Sequence, residues 1–148
     1  MKSKYFKITE LVCKHTHDRF KDNAWMFIDE KLVETLDILK EKIFPNNRII
    51  INNWNAGGKY SQRGLRCNIC DEAKTKTTKN THYLSAHCLG KGTDMTIEGI
   101  SAPEARKIIE KNQVLLPYPI RLESDKLAPT WVHLDVYNNG TGKKVTYF

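Results

Sequence analysis

Two short runs of the chain carry three side chains of the kinds that hold a divalent metal. Residues 85–94 read Ser-Ala-His-Cys-Leu-Gly-Lys-Gly-Thr-Asp, and residues 130–136 read Thr-Trp-Val-His-Leu-Asp-Val. A catalytic zinc typically takes three protein ligands of nitrogen or oxygen type and leaves a fourth position for water. His87, Asp94 and His133 would complete such a set, and Zn2+ is the expected cofactor.

Local patterning says where these side chains point. Side chains alternate faces along a strand, so Val132, Leu134 and Val136 are expected to face a core while Trp131, His133 and Asp135 face a cleft. The same alternation turns Met95 and Ile97 inward and Asp94 and Thr96 outward. Gly90 and Gly92 separate the first two candidate ligands, where a chain free of Cβ atoms can turn back tightly. The alternative for any one histidine is a satisfied core residue.

Other metal-binding side chains compete for attention. His15 and His17 lie close together in a polar stretch. Cys67, Cys70, His82 and His87 approach the spacing of a two-Cys, two-His zinc finger, but the aromatic and leucine positions of a finger core fall on Lys74 and Asn80. Cys67 and Cys70 could also hold a separate ion together with Cys13 or Cys88, or all four cysteines could be ordinary reduced thiols.

The elements that must position these groups read as follows. A short helix is expected within Tyr5–Cys13, then a polar loop at residues 14–18. Ile28, Leu32, Val33, Leu36, Leu39 and Ile43 recur at helical period, with Asp29 as N-cap and Pro45 as stop. Arg48–Asn53 reads as a buried strand, and Tyr60–Tyr83 as a long irregular loop, a length that is usually functional or mobile. Ser101-Ala-Pro-Glu opens another helix with a capping box. An edge strand is expected at Arg121 because prolines precede it, then the ligand strand, a turn at residues 138–142 and a last strand at Lys144–Tyr147. This order suggests an α+β fold with a mostly antiparallel sheet and helices packed on one face.

With 148 residues and 40% hydrophobic content, the chain suits one domain, residues 1–148. Twenty-four basic against 17 acidic residues give a net charge of +7, which favours anionic partners such as nucleic acid, membrane surfaces or acidic wall polymers. The basic residues are dispersed, most densely at Lys74, Lys76 and Lys79. The charged N-terminus is not followed by an apolar run long enough for a signal peptide or a membrane span, so synthesis in a cytoplasm is expected.

Ser85, His87, Gly90 and Asp94, followed later by His133 and Asp135, resemble the zinc peptidases of bacterial cell walls related to D-Ala-D-Ala metallocarboxypeptidases. Their pattern is Ser-x-His-x-x-Gly-x-Ala-x-Asp with a later His-x-Asp or near variant, and here Gly92 stands where the family usually has Ala. The opening Tyr-Phe-Lys-Ile-Thr-Glu-Leu-Val-Cys is most similar to phage and prophage members, and the likeness covers nearly the whole chain.

The resemblance implies a hedgehog/DD-peptidase-like fold and a metallopeptidase of the endolysin kind that hydrolyses stem-peptide or cross-link amides in peptidoglycan. It also implies action at the bacterial wall after phage-assisted release, with peptidoglycan peptides as partners, no nucleic acid, no membrane insertion and a monomeric state. In the family an arginine after the first core strand binds a substrate carboxylate; Arg66 fits best and Arg63 is second, since a planar guanidinium suits bidentate recognition. In several relatives an acidic residue three positions before the last histidine is the general base, and here that position is Thr130. Asp135 is the substitute, either as base or as a group that holds His133 in its ligand tautomer. The contrasting expectation is a catalytically inactive, zinc-containing binding module of the same fold.

Overall fold

The computed structural model describes residues 1–77, 83–138 and 140–148. The N-terminal third is helical. Helix α1 (Ile8–Leu11) is followed by α2 (Lys14–Phe20), a 3-10 segment (Lys21–Phe27) and α3 (Glu30–Ile38). Asp29 caps α3 by accepting a hydrogen bond from Lys31 N, as the sequence suggests. A π-helical turn (Leu39–Ile43) extends it to Phe44, whose N–H reaches Leu39 O, and Pro45 follows. Leu32, Val33, Leu36 and Leu39 are buried, as their spacing requires.

Residues 14–18 are therefore helical and not the expected polar loop. The apolar signal there is weak because one buried residue, Thr16, anchors α2. The expected irregular stretch Tyr60–Tyr83 also contains a helix, α4 (Asp71–Thr77), whose first turn carries Asp71 and Glu72 at the end that favours negative charge.

Five strands make one mixed sheet in the order β1-β2-β4-β3-β5: β1 (Ile49–Ile50), β2 (Gly92–Ile97), β3 (Ile120–Leu122), β4 (Val132–Asp135) and β5 (Val145–Tyr147). Neighbours are antiparallel except β3 and β5, which are parallel. The α+β class and the predominance of antiparallel pairing agree with expectation. β3, however, is internal: its prolines lie before the first paired residue, so the ladder from Ile120 keeps its donors on both sides.

Helix α5 (Ala102–Lys111) begins where Ser101 caps Glu104 N and packs against β2 and β4. Its Ala105 and Ile109 join Met95, Ile97, Val132 and Leu134 in the core. Arg106 on the same helix is fully buried, yet every hydrogen bond it makes is directed. Nε donates to Glu123 O, Nη1 to Asp125, and Nη2 to both Ala128 O and Trp131 O. One guanidinium thus shapes the 123–131 connection that delivers the chain to β4.

Candidate metal centre

β4 presents Val132 and Leu134 to the core and His133 and Asp135 to the opposite side. The register then assembles the rest. Asp94 of β2 is the direct partner of His133, Gly92 of Asp135, and Arg121 of β3 pairs with Asp135 from the other side. The small Gly92 matters, since a Cβ there would lie 2.6 Å from Ala86 Cβ and 3.3 Å from Asp135 Cβ. His87 comes from the turn before β2. Gly90, in the left-handed region at φ 65°, closes that turn against Phe27 O, which a Cβ would meet at 1.9 Å.

The three expected ligands meet. His133 Nδ1 lies 2.8 Å from Asp94 Oδ1, and His87 Nε2 lies 3.3 Å from Asp94 Oδ2. The other nitrogen of His87 is 2.9 Å from Gly64 O, so Nδ1 donates to that carbonyl and the ring is held with Nε2 turned to Asp94. His133 Nε2 faces Asp135 Oδ2 at 3.6 Å, an electrostatic contact longer than a hydrogen bond. Each ring therefore turns one nitrogen to Asp94 and the other to an oxygen behind it, the arrangement of metal-binding histidines. Ligands about 2.0–2.2 Å from one tetrahedral ion stand about 3.3–3.5 Å apart, so the His87–Asp94 separation suits a shared ion and the His133–Asp94 separation is a hydrogen bond. The group is compatible with a metal.

Electrostatics bind the cluster together. Burial pushes the Asp94 carboxyl up, but the hydrogen bonds and positive charge of His133 and His87 outweigh it and hold the group well below the usual carboxylate range. Burial likewise disfavours the His133 imidazolium, yet Asp135 and Asp94 raise it to about 9. Asp135 is lowered despite its burial, because His133 and Arg121 favour its charged form.

The arginines divide their work. Arg66 Nη2 donates to Asp94 Oδ2 at 2.8 Å, and its Nε donates to Gln62 O. Arg63 stacks on Tyr60, 3.5 Å from the ring centroid, and donates Nη1 to Thr96 at 2.8 Å. The loop that carries both is stitched to two of the candidate ligands, with Asp94 N donating to Arg63 O and Arg66 N to His87 O. Arg121, which sequence reasoning missed, grips Asp135 with Nε at 2.9 Å and Nη2 at 2.8 Å. Its place between Ile120 and Leu122 was the available sign of an outward side chain, but only register could supply its partner.

These groups line a cleft of about 640 Å³ that Glu72 and Glu123 also edge. Thr130, three positions before His133, is exposed at the bend before β4.

The remaining metal-binding candidates sort differently. His17 packs on Trp54, with ring centroids 5.5 Å apart, while His15 leaves from another side of α2 to meet the cysteines. Cys13, His15, Cys67 and Cys70 form a second group compatible with a metal. Cys88 hydrogen-bonds with Ser85 and belongs to neither. His82 of the finger-like spacing lies outside the described residues, as does Lys79 of the basic stretch, and His87 belongs with Asp94 and His133. The chain matches no family model, no curated protein and no solved structure.

Proposed function

We propose that this protein is a zinc-dependent peptidoglycan peptidase of hedgehog/DD-peptidase type that hydrolyses stem-peptide or cross-link amides of the bacterial cell wall. The observation that supports it best is the His87–Asp94–His133 group lying in an open cleft beside three arginines. That pairing suits an amide substrate that carries a free carboxylate. His87, Asp94 and His133 would hold the ion, which when bound supplies Lewis acidity to an amide carbonyl and lowers the pKa of water.

The chain's own residues take the other parts. Asp135 has both carboxylate oxygens engaged by Arg121 and also accepts from Tyr137 N, so it is a poor proton acceptor and a good anchor for His133. The two carboxylates at the cleft edge are then the candidates for general base. Glu123 is the better placed: its N–H donates to His133 O at 3.2 Å, which holds it beside the ligand strand, and among the described residues its carboxylate has no ion-pair partner. It would take a proton from the attacking water and return it to the leaving amine. Arg66 is committed to Asp94, so Arg63, with donors beyond its bond to Thr96, is the better holder of a substrate carboxylate.

A second reading, a metal-holding binding module without hydrolysis, draws support from Thr130 at the usual base position and from the clamping of Asp135. Digestion of purified sacculi with zinc-loaded protein, with fragments identified by mass spectrometry, separates the two. New amino termini within stem peptides or cross-links are the expected result. Intact muropeptides together with retained binding to sacculi would establish the module, and neither cleavage nor binding would overturn both readings.

A further inference from the structure

Away from the cleft, three cysteines and a histidine converge from two distant parts of the chain. Cys13 and His15 come from the start of α2, and Cys67 and Cys70 from the turn that opens α4. Backbone pairing brings the two parts together: Val12 and Leu65 form a parallel bridge, Cys13 N donates to Leu65 O, and Leu65 N donates to Leu11 O. Cys70 N donates to Cys67 O, a tight turn that aims both sulfurs the same way.

The spacing of the donor atoms is the telling feature. Cys67 Sγ, Cys70 Sγ and His15 Nδ1 stand 3.7 Å from one another in all three pairs. All four groups, Cys13 included, have ligand atoms within 4.8 Å of one another. Metal–sulfur bonds of about 2.3 Å and metal–nitrogen bonds of about 2.0–2.1 Å, at tetrahedral angles, place ligand atoms about 3.5–3.8 Å apart. A disulfide requires sulfurs about 2.05 Å apart, and all four cysteines are free thiols. Two thiols and an imidazole at 3.7 Å, with the third thiol no more than 4.8 Å from any of them, suit one small tetrahedral ion.

We propose that Cys13, His15, Cys67 and Cys70 form a second, structural zinc site. It is independent of the proposed peptidase activity and differs from the His87 group in kind, because four protein ligands leave no position open for water or substrate. Cys13 and Cys70 are buried and pack with Ala73 and Tyr83, while Cys67 is partly buried and His15 stands at the surface. Its consequence is positional. Arg66 lies between Leu65 and Cys67, and its guanidinium holds Asp94, so an ion that ties Cys67 and Cys70 to α2 fixes the loop behind the cleft. Without it, this loop is anchored to the helical third chiefly by the bridge at Leu65.

The test uses cobalt(II) added to the reduced, metal-free full-length chain. Thiolate ligation produces a sulfur-to-cobalt charge-transfer band in the near ultraviolet, which ligation by His87, Asp94 and His133 cannot produce. The band is expected in the parent and in the H87A/H133A double variant, and it should be lost in Cys67→Ser and strongly weakened in His15→Ala. Elemental analysis of zinc-loaded protein should give about two ions per chain in the parent and about one in Cys67→Ser, since a closed four-ligand site takes a single ion. Because a cysteine variant can misfold, the parent spectrum decides alone: absence of the charge-transfer band at excess cobalt overturns the site. A band that survives unchanged in both His15→Ala and Cys67→Ser also overturns it.

Discussion

Asp94 and His133 are direct cross-strand partners on β2 and β4, and their side chains meet at 2.8 Å on the cleft face. A one-residue slip of either strand would exchange the cleft and core faces, placing Met95 or Val132 where a metal-binding side chain now stands. Replacing His133 by alanine is therefore expected to weaken metal binding at this site by more than about a hundredfold, the upper range for partners one step removed from an ion. Elemental analysis after dialysis against a mild chelator, with the cysteine group tracked separately by its cobalt spectrum, checks this. Undiminished binding would remove His133 from the ligand set.

The two cleft arginines should separate by phenotype. Arg63→Ala is expected to impair hydrolysis of sacculi while metal content holds, because the Arg63 guanidinium meets Tyr60 and Thr96, and its bond to Asp94 N is made by the main chain, which the substitution keeps. Arg66→Ala should lower metal affinity, by about ten- to a hundredfold, since Asp94 loses the guanidinium that supports it. The reverse pattern would return the carboxylate-binding role to Arg66.

For Asp135, the bidentate grip of Arg121 predicts an orienting role. Asp135→Asn should reduce metal affinity about ten- to a hundredfold, with excess zinc restoring much of the activity. Glu123→Gln should instead keep its metal and lose about a hundredfold to ten-thousandfold in rate, the usual range for a general base. An Asp135→Asn protein with full metal and no turnover would make Asp135 the base.

Protonation of His133 gives the metal-free protein a pH dependence of definite sign. Asp135 and Asp94 raise this ring to about 9, above the ordinary value of about 6.5. The stabilisation is thus complete below about pH 6.5 and is lost as pH rises through about 9. Asp94, held low, works the other way, contributing above about pH 4 and fading as acid protonates it. Urea denaturation of chelator-treated protein should show stability falling between about pH 6.5 and 9, with the fall absent from His133→Gln. A metal ion must displace the same proton, so affinity at this site should drop about tenfold per pH unit below about 9.

Arg106→Leu removes the donor to a buried carbonyl at Ala128 and to part-buried ones at Glu123 and Trp131. A loss of about 1–3 kcal/mol is expected, chiefly from the Ala128 acceptor left unpaired in the interior, measured by urea denaturation. The pair with Asp125 contributes little of this, since that carboxylate is largely exposed.

Much of the site could be read along the chain because strands and helices write their facing into sequence period. Alternation in residues 131–136 put His133 opposite the core, and spacing from Ile28 to Ile43 marked the main helix with Asp29 as its cap. Two helices escaped because short elements rest on tertiary contacts more than on propensity: α2 hides behind one buried threonine, and α4 stands at the cysteine turn. Long-range pairing was equally beyond local pattern. Nothing near Arg121 names Asp135, nothing near His15 names Cys67 and Cys70, and nothing near Arg66 shows that Asp94 would claim it. The sequence determined which side chains leave which face of each element, since backbone geometry makes facing a local property. Only the tertiary structure decided which of those faces meet, because register and loop closure are set by packing across the whole core.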